Sequence, residues 1–193
     1  MNERVRITDE KLLSDSWYIL KKYTFDYQLR DGSWKSHQRE AYDRGNGVVM
    51  LLYNRTRGTV ILTRQFRLPI YVNDHPDGML IEAPAGLLDE NDPTAGVIRE
   101  TEEETGYEVH NVRKIYEIYM SPGSVTEKLY FFVAEYSGAD RVSAGGGADE
   151  QEDIEVLELP FRDAMQMIES GDIADGKTII LLQYAALHQL LAP

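Results

Sequence analysis

The 193-residue sequence contains no cysteine. Disulfide bonds and thiolate metal ligands are therefore excluded, and a cytoplasmic location is expected. The sequence also contains no apolar run of about 18 residues, the length that spans a bilayer, so we expect no transmembrane helix. The opening stretch MNERVRITDEKLL lacks the apolar core of a signal peptide. Together these absences predict a chain that does not enter a membrane.

Basic residues are also scarce. Lys and Arg total 20 against 33 Asp and Glu, which gives a formal net charge of −13 at pH 7. Such a surface repels nucleic acid and anionic lipid, so we expect neither as a partner. It would also repel a phosphorylated substrate, unless metal ions or a local group of Arg and Lys side chains intervene. The hydrophobic content of 42% is sufficient for the core of one ordinary domain.

Alternating apolar and β-branched residues predict a chain rich in strands. One hairpin turns at Asp31-Gly32 and another over Asn54 to Gly58. Further strands are expected in GMLIEA, RKIYEIYM, KLYFFVAEY and EDIEVLEL, with a mobile glycine-rich loop, SAGGGADEQED, before the last. We place a small N-terminal β region at residues 1–44 and the main domain at 45–193. Many strands with few helices predict an α/β sandwich with a mixed sheet.

A central helix has clear start and stop signals. Asp92 is a good N-cap, Pro93 suits the first helical position, and Gly106 suits the C-terminal cap. The sequence therefore predicts a helix from Pro93 to Thr105. Two terminal helices are expected in PFRDAMQMIESGD, which stops at Gly171, and in KTIILLQYAALHQLL.

The central helix concentrates acidic residues on one side. Glu100, Glu103 and Glu104 stand at i, i+3 and i+4, and Arg99 precedes Glu103 by four residues and can pair with it. Carboxylates that converge suit a hard divalent cation such as Mg²⁺ or Mn²⁺, which would offset their repulsion. Taken alone, the pattern is more typical of a solvated acidic face, since Glu is a good helix former.

The surrounding stretch GLLDENDPTAGVIRETEEETGY resembles the Nudix box, the signature of hydrolases that act on nucleoside diphosphates linked to another moiety. Gly86 opens the motif and Tyr107 ends it. The sequence departs from the pattern in three ways. Asp92 replaces the first Glu, six rather than seven residues separate it from Arg99, and Thr101 replaces an apolar residue. The shortening falls before the helix proper.

The resemblance extends over nearly the whole chain, through RQFRLP, APAGLLD, YMSPGSVTEKLYFFVAEY and GDIADGKTIILLQY. These segments resemble the ADP-ribose and nucleotide-sugar pyrophosphatase branch, and within it the enzymes that cleave GDP-mannose. The resemblance implies a Nudix α/β/α fold and Mg²⁺-dependent hydrolysis of GDP-mannose to GMP and mannose 1-phosphate. It also implies a homodimer whose N-terminal β regions are exchanged and whose pocket is shared between subunits. The alternatives are an ADP-ribose or ADP-sugar pyrophosphatase, and a non-catalytic module that binds a nucleotide metabolite.

The same resemblance implies roles for individual residues. The metal ligands would be Glu100, Glu104, Glu152 and the carbonyl of Ala85, and the catalytic group would include Glu152, Glu103 and Arg99. Glu152 is chosen as general base over Glu150 because it precedes a predicted strand. The expected substrate-binding residues are Trp17, Gln38, Arg39, Glu40, Arg67, Ala85, Gly86, Glu104, Glu127, Glu150, Gln151 and Lys177.

Several of these residues have a simpler interpretation. Arg67 could be an ordinary surface charge, Glu127 could cap a turn, and Trp17 could belong to a subunit interface. Gln38 stands where the related GDP-mannose enzymes commonly have Lys, which weakens the sugar or base preference carried over.

The segment GDIADGKT, residues 171–178, matches the Walker A phosphate loop in letters. A helix is predicted before it, where a phosphate loop follows a strand, and its two aspartates would face phosphate. We therefore interpret it as a turn and a helix start, with Lys177 directed to the Nudix site.

Overall fold

The computed structural model describes residues 2–88, 92–148 and 152–191. Its backbone forms two compact units, which are considered separately. The first unit contains the chain up to Asn46 together with Tyr119–Lys128. The second contains Gly47–Ile118 and the chain from Leu129 onward.

The first unit is built on a three-stranded antiparallel sheet. Its strands are β1 (Val5–Asp15), β2 (Ile19–Gln28) and β3 (Trp34–Asp43), in that spatial order. The hairpin predicted at Asp31-Gly32 is confirmed by the pairing of β2 with β3. The sequence did not indicate β1 as a separate strand. Every residue of β1 is exposed in this chain, so no buried face marks it by alternating hydrophobicity.

The second unit contains a mixed sheet of seven strands. They are β4 (Gly47–Asn54), β5 (Thr59–Phe66), β6 (Met79–Glu82), β7 (Ala85–Leu87), β8 (Arg113–Tyr119), β9 (Lys128–Glu135) and β10 (Glu155–Pro160). Five form the order β10-β5-β4-β9-β8, while β6 pairs with β5 and β7 with β4. The β4–β9 pair is parallel, and the β10–β5 and β4–β5 pairs are antiparallel. The predicted strands and the second hairpin are confirmed.

The core of this unit lies around the middle of the sheet. All eight residues of β4 are buried, which explains the continuous apolar run VVMLLY that a strand covered on both faces requires. Met50 and Leu52 pack with Ile61, Phe132 and the helical residue Val97 in one cluster. The sheet is thereby a rigid support for the loops that leave its ends.

In the part of the chain that the structure describes, four α-helices accompany the sheet: α1 (Leu68–Tyr71), α2 (Pro93–Thr105), α3 (Phe161–Ser170) and α4 (Gly176–Leu187). The predicted bounds of α2 are confirmed, since Asp92 accepts a hydrogen bond from the Thr94 amide at 2.9 Å and Gly106 ends the helix at φ +74°. Helix α3 precedes residues 171–178, which agrees with rejecting a phosphate loop there. Among the described residues, no helix has both the length and the apolarity needed to cross a bilayer.

The glycine-rich segment is fastened to the end of α2, although the sequence suggested a mobile loop. The amide of Gly146 donates to the carbonyl of Glu104 at 2.9 Å, and that of Gly147 donates to Glu103 at 3.2 Å. The amides of Val142 and Ser143 both donate to Gly106. These bonds satisfy carbonyls that a helix C-terminus leaves without partners, so the described part of the loop lies against the end of α2.

Candidate active site

One end of the site is the contact between β7 and α2. The backbone amide of Ala85 donates to Oε2 of Glu104 at 3.1 Å. At the next residue, a Cβ added to Gly86 would lie 2.0 Å from the carboxyl carbon of Glu100. A larger residue at this position would displace the Glu100 carboxylate from the strand. The glycine that opens the motif therefore lets Glu100 and Glu104 lie side by side at β7.

Glu104 is buried, and its surroundings disfavour the charged form of its carboxyl group. Its residue is 6% exposed, and burial is the main reason that its pKa rises to about 8. The nearby charges of Glu82 and Glu100 raise the pKa further, while the Ala85 amide and Arg67 oppose them. A buried carboxylate in this situation is stabilised by a cation placed beside it.

The third helical carboxylate, that of Glu103, is exposed. Its convergence with Glu100 and Glu104, which the i, i+3, i+4 spacing predicts, stays a prediction. Arg99 differs from expectation. Within the described residues, its Nη2 atom forms an ion pair with Oε1 of Glu100 at 3.0 Å rather than with Glu103.

The donor set is small but of the right chemistry for a hard cation. No cluster of three or more His, Asp or Glu side chains with metal-binding geometry occurs in residues 2–88, 92–148 and 152–191. The carboxylates of Glu100 and Glu104 remain, with the carbonyl of Ala85 as the expected third oxygen. Oxygen donors and a desolvated carboxylate fit Mg²⁺ or Mn²⁺, ions that keep several waters when bound.

Two predicted cations meet on one buried acid, Glu82, that sequence reasoning missed. Nε of Arg67 donates to Oε1 of Glu82 at 2.6 Å, and Nζ of Lys177 donates to Oε2. Lys177 also donates to Asp175 at 3.0 Å. Burial opposes the charge of Arg67, but Glu82, Glu104 and Asp175 together raise its pKa. The sequence feature that could have identified Glu82 is its position as the one charged residue at the end of the apolar run MLIE.

Glu152, the predicted base, lies at the glycine-rich loop. Its Oε2 accepts a hydrogen bond from the Ala148 amide at 2.9 Å. A Cβ added to Gly147 would lie 2.2 Å from the same oxygen, and the Gly147 amide is bonded to α2. Glu152 therefore accepts from the residue next to Gly147, whose own amide is hydrogen-bonded to the end of the acidic helix. Glu150 and Gln151 lie outside the described residues.

The remaining predicted residues belong to the first unit. Trp17 is 83% exposed, and Gln38, Arg39 and Glu40 are exposed on β3. Arg39 and Glu40 line a cavity of about 660 Å³, together with Tyr23, Phe25, Ala41, Tyr119 and residues 122–126. Glu127 forms an ion pair with Arg44 at 3.4 Å. The roles of these residues in substrate binding stay predictions.

Comparison with known families agrees with this architecture. Residues 43–181 match the NUDIX domain, and residues 4–42 match the "GDP-mannose pyrophosphatase NudK N-terminal domain". The chain belongs to the Nudix family, whose hydrolases generally use a divalent metal. This confirms the family identified from residues 86–107.

Two curated relatives illustrate the similarity. GDP-mannose pyrophosphatase of Pectobacterium atrosepticum is 56% identical over 97% of the chain and 97% of its own length. GDP-mannose pyrophosphatase of Klebsiella pneumoniae subsp. pneumoniae is 52% identical over 100% of the chain and 96% of its own length. The solved "ADP compounds hydrolase" has a TM-score of 0.72 at 17% identity, covering 97% of this chain and 95% of that one. That similarity confirms the fold class.

Proposed function

We propose that the protein is a Mg²⁺-dependent pyrophosphatase that hydrolyses GDP-mannose to GMP and mannose 1-phosphate. Relatives with that name match it at 52% and 56% identity over nearly their full lengths. One structural observation carries the proposal. Glu104 interacts electrostatically with Glu100, Arg67 and Glu82, and Glu82 accepts hydrogen bonds from both Arg67 and Lys177.

The cations would bind the diphosphate. A chain with net charge −13 needs local positive charge to hold an anionic substrate. Only the Nε donor of Arg67 is used by the described residues, so its two terminal nitrogens can face a phosphate group in the bidentate manner typical of Arg. Lys177, on the first turn of α4, would add a second positive charge.

Glu100, Glu104 and the Ala85 carbonyl would hold Mg²⁺, with Glu152 as a further ligand and Mn²⁺ as an alternative ion. When bound, the metal supplies charge neutralisation on the diphosphate and lowers the pKa of coordinated water. Glu100 and Glu104 are suited to this role by their fixed contacts with Gly86 and Ala85. Arg99 would keep Glu100 oriented through their ion pair. Glu103, which is exposed, would lie beside the metal ligands without binding the metal directly.

Glu152 would act as general base. Water attacks one phosphorus, the bridging phosphorus–oxygen bond breaks, and the bridging oxygen leaves with the bonding electrons on the other phosphate. The proton of the water passes to the Glu152 carboxylate. Its hydrogen bond with Ala148 and its contact with Gly147 support this assignment because they fix one of its oxygens. Glu150 remains the alternative base.

A homodimer is part of the proposal. Trp17, Gln38, Arg39 and Glu40 would contact the nucleotide from the partner subunit, and Glu127 would lie near the substrate. Sedimentation over a dilution series, with activity measured on the same samples, tests this arrangement. We expect activity to be lost together with the dimer, whereas an active monomer would contradict it. A cytoplasmic location likewise stays a prediction.

Chromatographic product analysis tests the reaction and the base preference together. The purified protein is incubated with GDP-mannose, GDP-glucose, ADP-ribose or ADP-glucose, each with Mg²⁺ and with EDTA. We expect GMP to form fastest from GDP-mannose, and only with metal. AMP forming fastest would assign the protein to the adenine branch. Absence of cleavage in every reaction would favour a binding module.

A further inference from the structure

Glu82 is a carboxylate buried almost completely at the end of β6. It is 1% exposed, in a position that follows the apolar residues Met79, Leu80 and Ile81. A charge in such a place is costly unless partners surround it. In this chain the partners are two residues already predicted to contact substrate, so the acid has a use beyond packing.

The two oxygens of Glu82 are divided between two cations from different elements. Oε1 accepts from Arg67, the residue before α1, at 2.6 Å, and Oε2 accepts from Lys177 of α4. Arg67 and Lys177 would otherwise repel each other. The carboxylate between them offsets that repulsion and sets the distance between the two head groups.

The surrounding bonds hold this bridge in place. The amide of Ala83 donates to Oγ1 of Thr178 at 2.7 Å, which ties the residue after Glu82 to the start of α4. Thr178 in turn donates to Asp175, the N-cap of α4, at 2.6 Å. Glu82 thus anchors both cationic side chains. Among the described contacts, Nη1 and Nη2 of Arg67 and one N–H of Lys177 donate no hydrogen bond, so they are available to a ligand.

We propose that Glu82 is a positioning residue that holds Arg67 and Lys177 together for a diphosphate group. The proposal rests on the proposed function, because it assigns both cations to the substrate diphosphate. Glu82 itself would not contact the substrate. Its geometry matters as much as its charge, since one carboxylate must reach two cations at once.

Two substitutions separate positioning from simple charge balance. Glu82→Gln removes the charge, and Glu82→Asp keeps the charge but shortens the side chain by one methylene. We expect Glu82→Gln to raise KM for GDP-mannose by about tenfold or more, the loss associated with hydrogen bonds to charged groups, with a smaller change in kcat. Glu82→Asp should also raise KM, because the shorter acid does not reach both cations.

Glu158→Gln is the matched control. Glu158 is a partly buried acid of the same unit, and it pairs with Arg57 at 2.9 Å and accepts from Tyr136 and Thr59. It has no contact with Arg67 or Lys177 among those bonds. We expect this variant to lose thermal stability without a change in KM. A KM rise of the same size in Glu158→Gln would show that general destabilisation explains the Glu82 result.

Calorimetric binding of inorganic pyrophosphate with Mg²⁺ gives a second test that needs no turnover. Wild-type protein should bind pyrophosphate, and Glu82→Asp and Glu82→Gln should bind it about tenfold more weakly. A folded Glu82→Asp variant with wild-type KM and wild-type pyrophosphate affinity would overturn the positioning role. Pyrophosphate binding that depends on Glu82, without cleavage of any nucleotide sugar, would overturn the proposed function alone. Failure of the wild type to bind pyrophosphate would overturn the role of Glu82.

Discussion

The backbone amide of Ala85 donates to Oε2 of Glu104 at 3.1 Å and thereby joins β7 to α2. This bond holds one oxygen of a buried carboxylate whose pKa is raised to about 8. The chain keeps an acid in a place where burial disfavours its charge. We infer that a bound cation stabilises the charged form of Glu104.

Glu104→Gln should leave the fold intact and lower kcat by about a hundredfold or more, because a metal ligand is lost. The new amide oxygen can still accept from Ala85. Steady-state kinetics at saturating Mg²⁺ and thermal melting measure the two effects. Glu102→Gln is the control on the same helix, since Glu102 accepts from the Val109 amide at 3.1 Å and lies outside the proposed site. Near-normal turnover in Glu104→Gln would remove Glu104 from the metal site.

The metal-free protein should lose stability as the pH rises from about 4.5 to about 8. The carboxyl of Glu104 has a pKa raised from 4.5 to about 8 in the folded state, mainly by burial. Between these values the folded state binds more protons than the unfolded state, so the free energy of unfolding falls with increasing pH. The total change is on the order of a few kcal/mol.

Denaturant titrations in EDTA across this pH range measure the effect. Glu104→Gln should flatten the slope, because the titrating group is gone. Added Mg²⁺ should restore stability most strongly near pH 8, where Glu104 is ionised. A slope that is identical in wild type and variant would contradict the burial of a titrating Glu104.

Thr101→Val should stabilise the protein by about 1 kcal/mol. Thr101 is fully buried in α2, and its hydroxyl has no hydrogen-bond partner in the described part of the chain. Valine has nearly the same shape and carries no polar group to leave unsatisfied. We therefore predict that Thr101, which replaces an apolar residue of the Nudix pattern, lowers the stability of the protein and has no role in its activity.

Thr105→Val is the matched control, one helical turn later. Thr105 is also fully buried, but its hydroxyl donates to the carbonyl of Thr101 at 2.5 Å and accepts from the Tyr107 amide at 3.3 Å. The same substitution should destabilise here. Chemical unfolding of both variants checks the prediction, and a stability change of equal sign in the two would refute it.

Gly147→Ala should lower kcat by disturbing Glu152. Gly147 has φ +93°, and a Cβ would lie 2.2 Å from the Glu152 carboxylate. Gly171→Ala is the control, because Gly171 has φ +88° with nothing within 4 Å of an added Cβ. Both variants carry a similar backbone cost of about 1 kcal/mol. Only Gly147→Ala should lose turnover, and equal kinetics in the two variants would contradict the placement of Glu152.

Local signals explain why much of the fold could be predicted. The bounds of α2 follow from Asp92, Pro93 and Gly106, each of which acts within one turn of the helix. The two hairpins depend on short turns between apolar runs. Elements whose ends are set by interactions between sequence neighbours can therefore be predicted. Strand β1 was not predicted, because all of its residues are exposed and no hydrophobic alternation marks it.

The site was only partly predictable because its contacts are distant in sequence. Glu82 meets Arg67 and Lys177 across 15 and 95 residues, and no spacing rule connects them. Helical spacing predicts that Glu103 converges with Glu100 and Glu104, but it does not predict burial. Glu104 is buried and Glu103 is exposed. The hydrogen bonds from the glycine-rich loop to α2 could not be predicted, because they join backbone groups and leave no signal in the side chains.

Phosphorus NMR of GDP-mannose incubated with the protein and Mg²⁺ identifies the bond that is broken. We predict that the two diphosphate resonances are replaced by two monophosphate resonances, those of GMP and mannose 1-phosphate, and that EDTA prevents the change. Persistence of the diphosphate resonances would contradict a pyrophosphatase. Release of GDP and free mannose would equally contradict it, because the glycosidic bond rather than the diphosphate bond would then be the one cleaved.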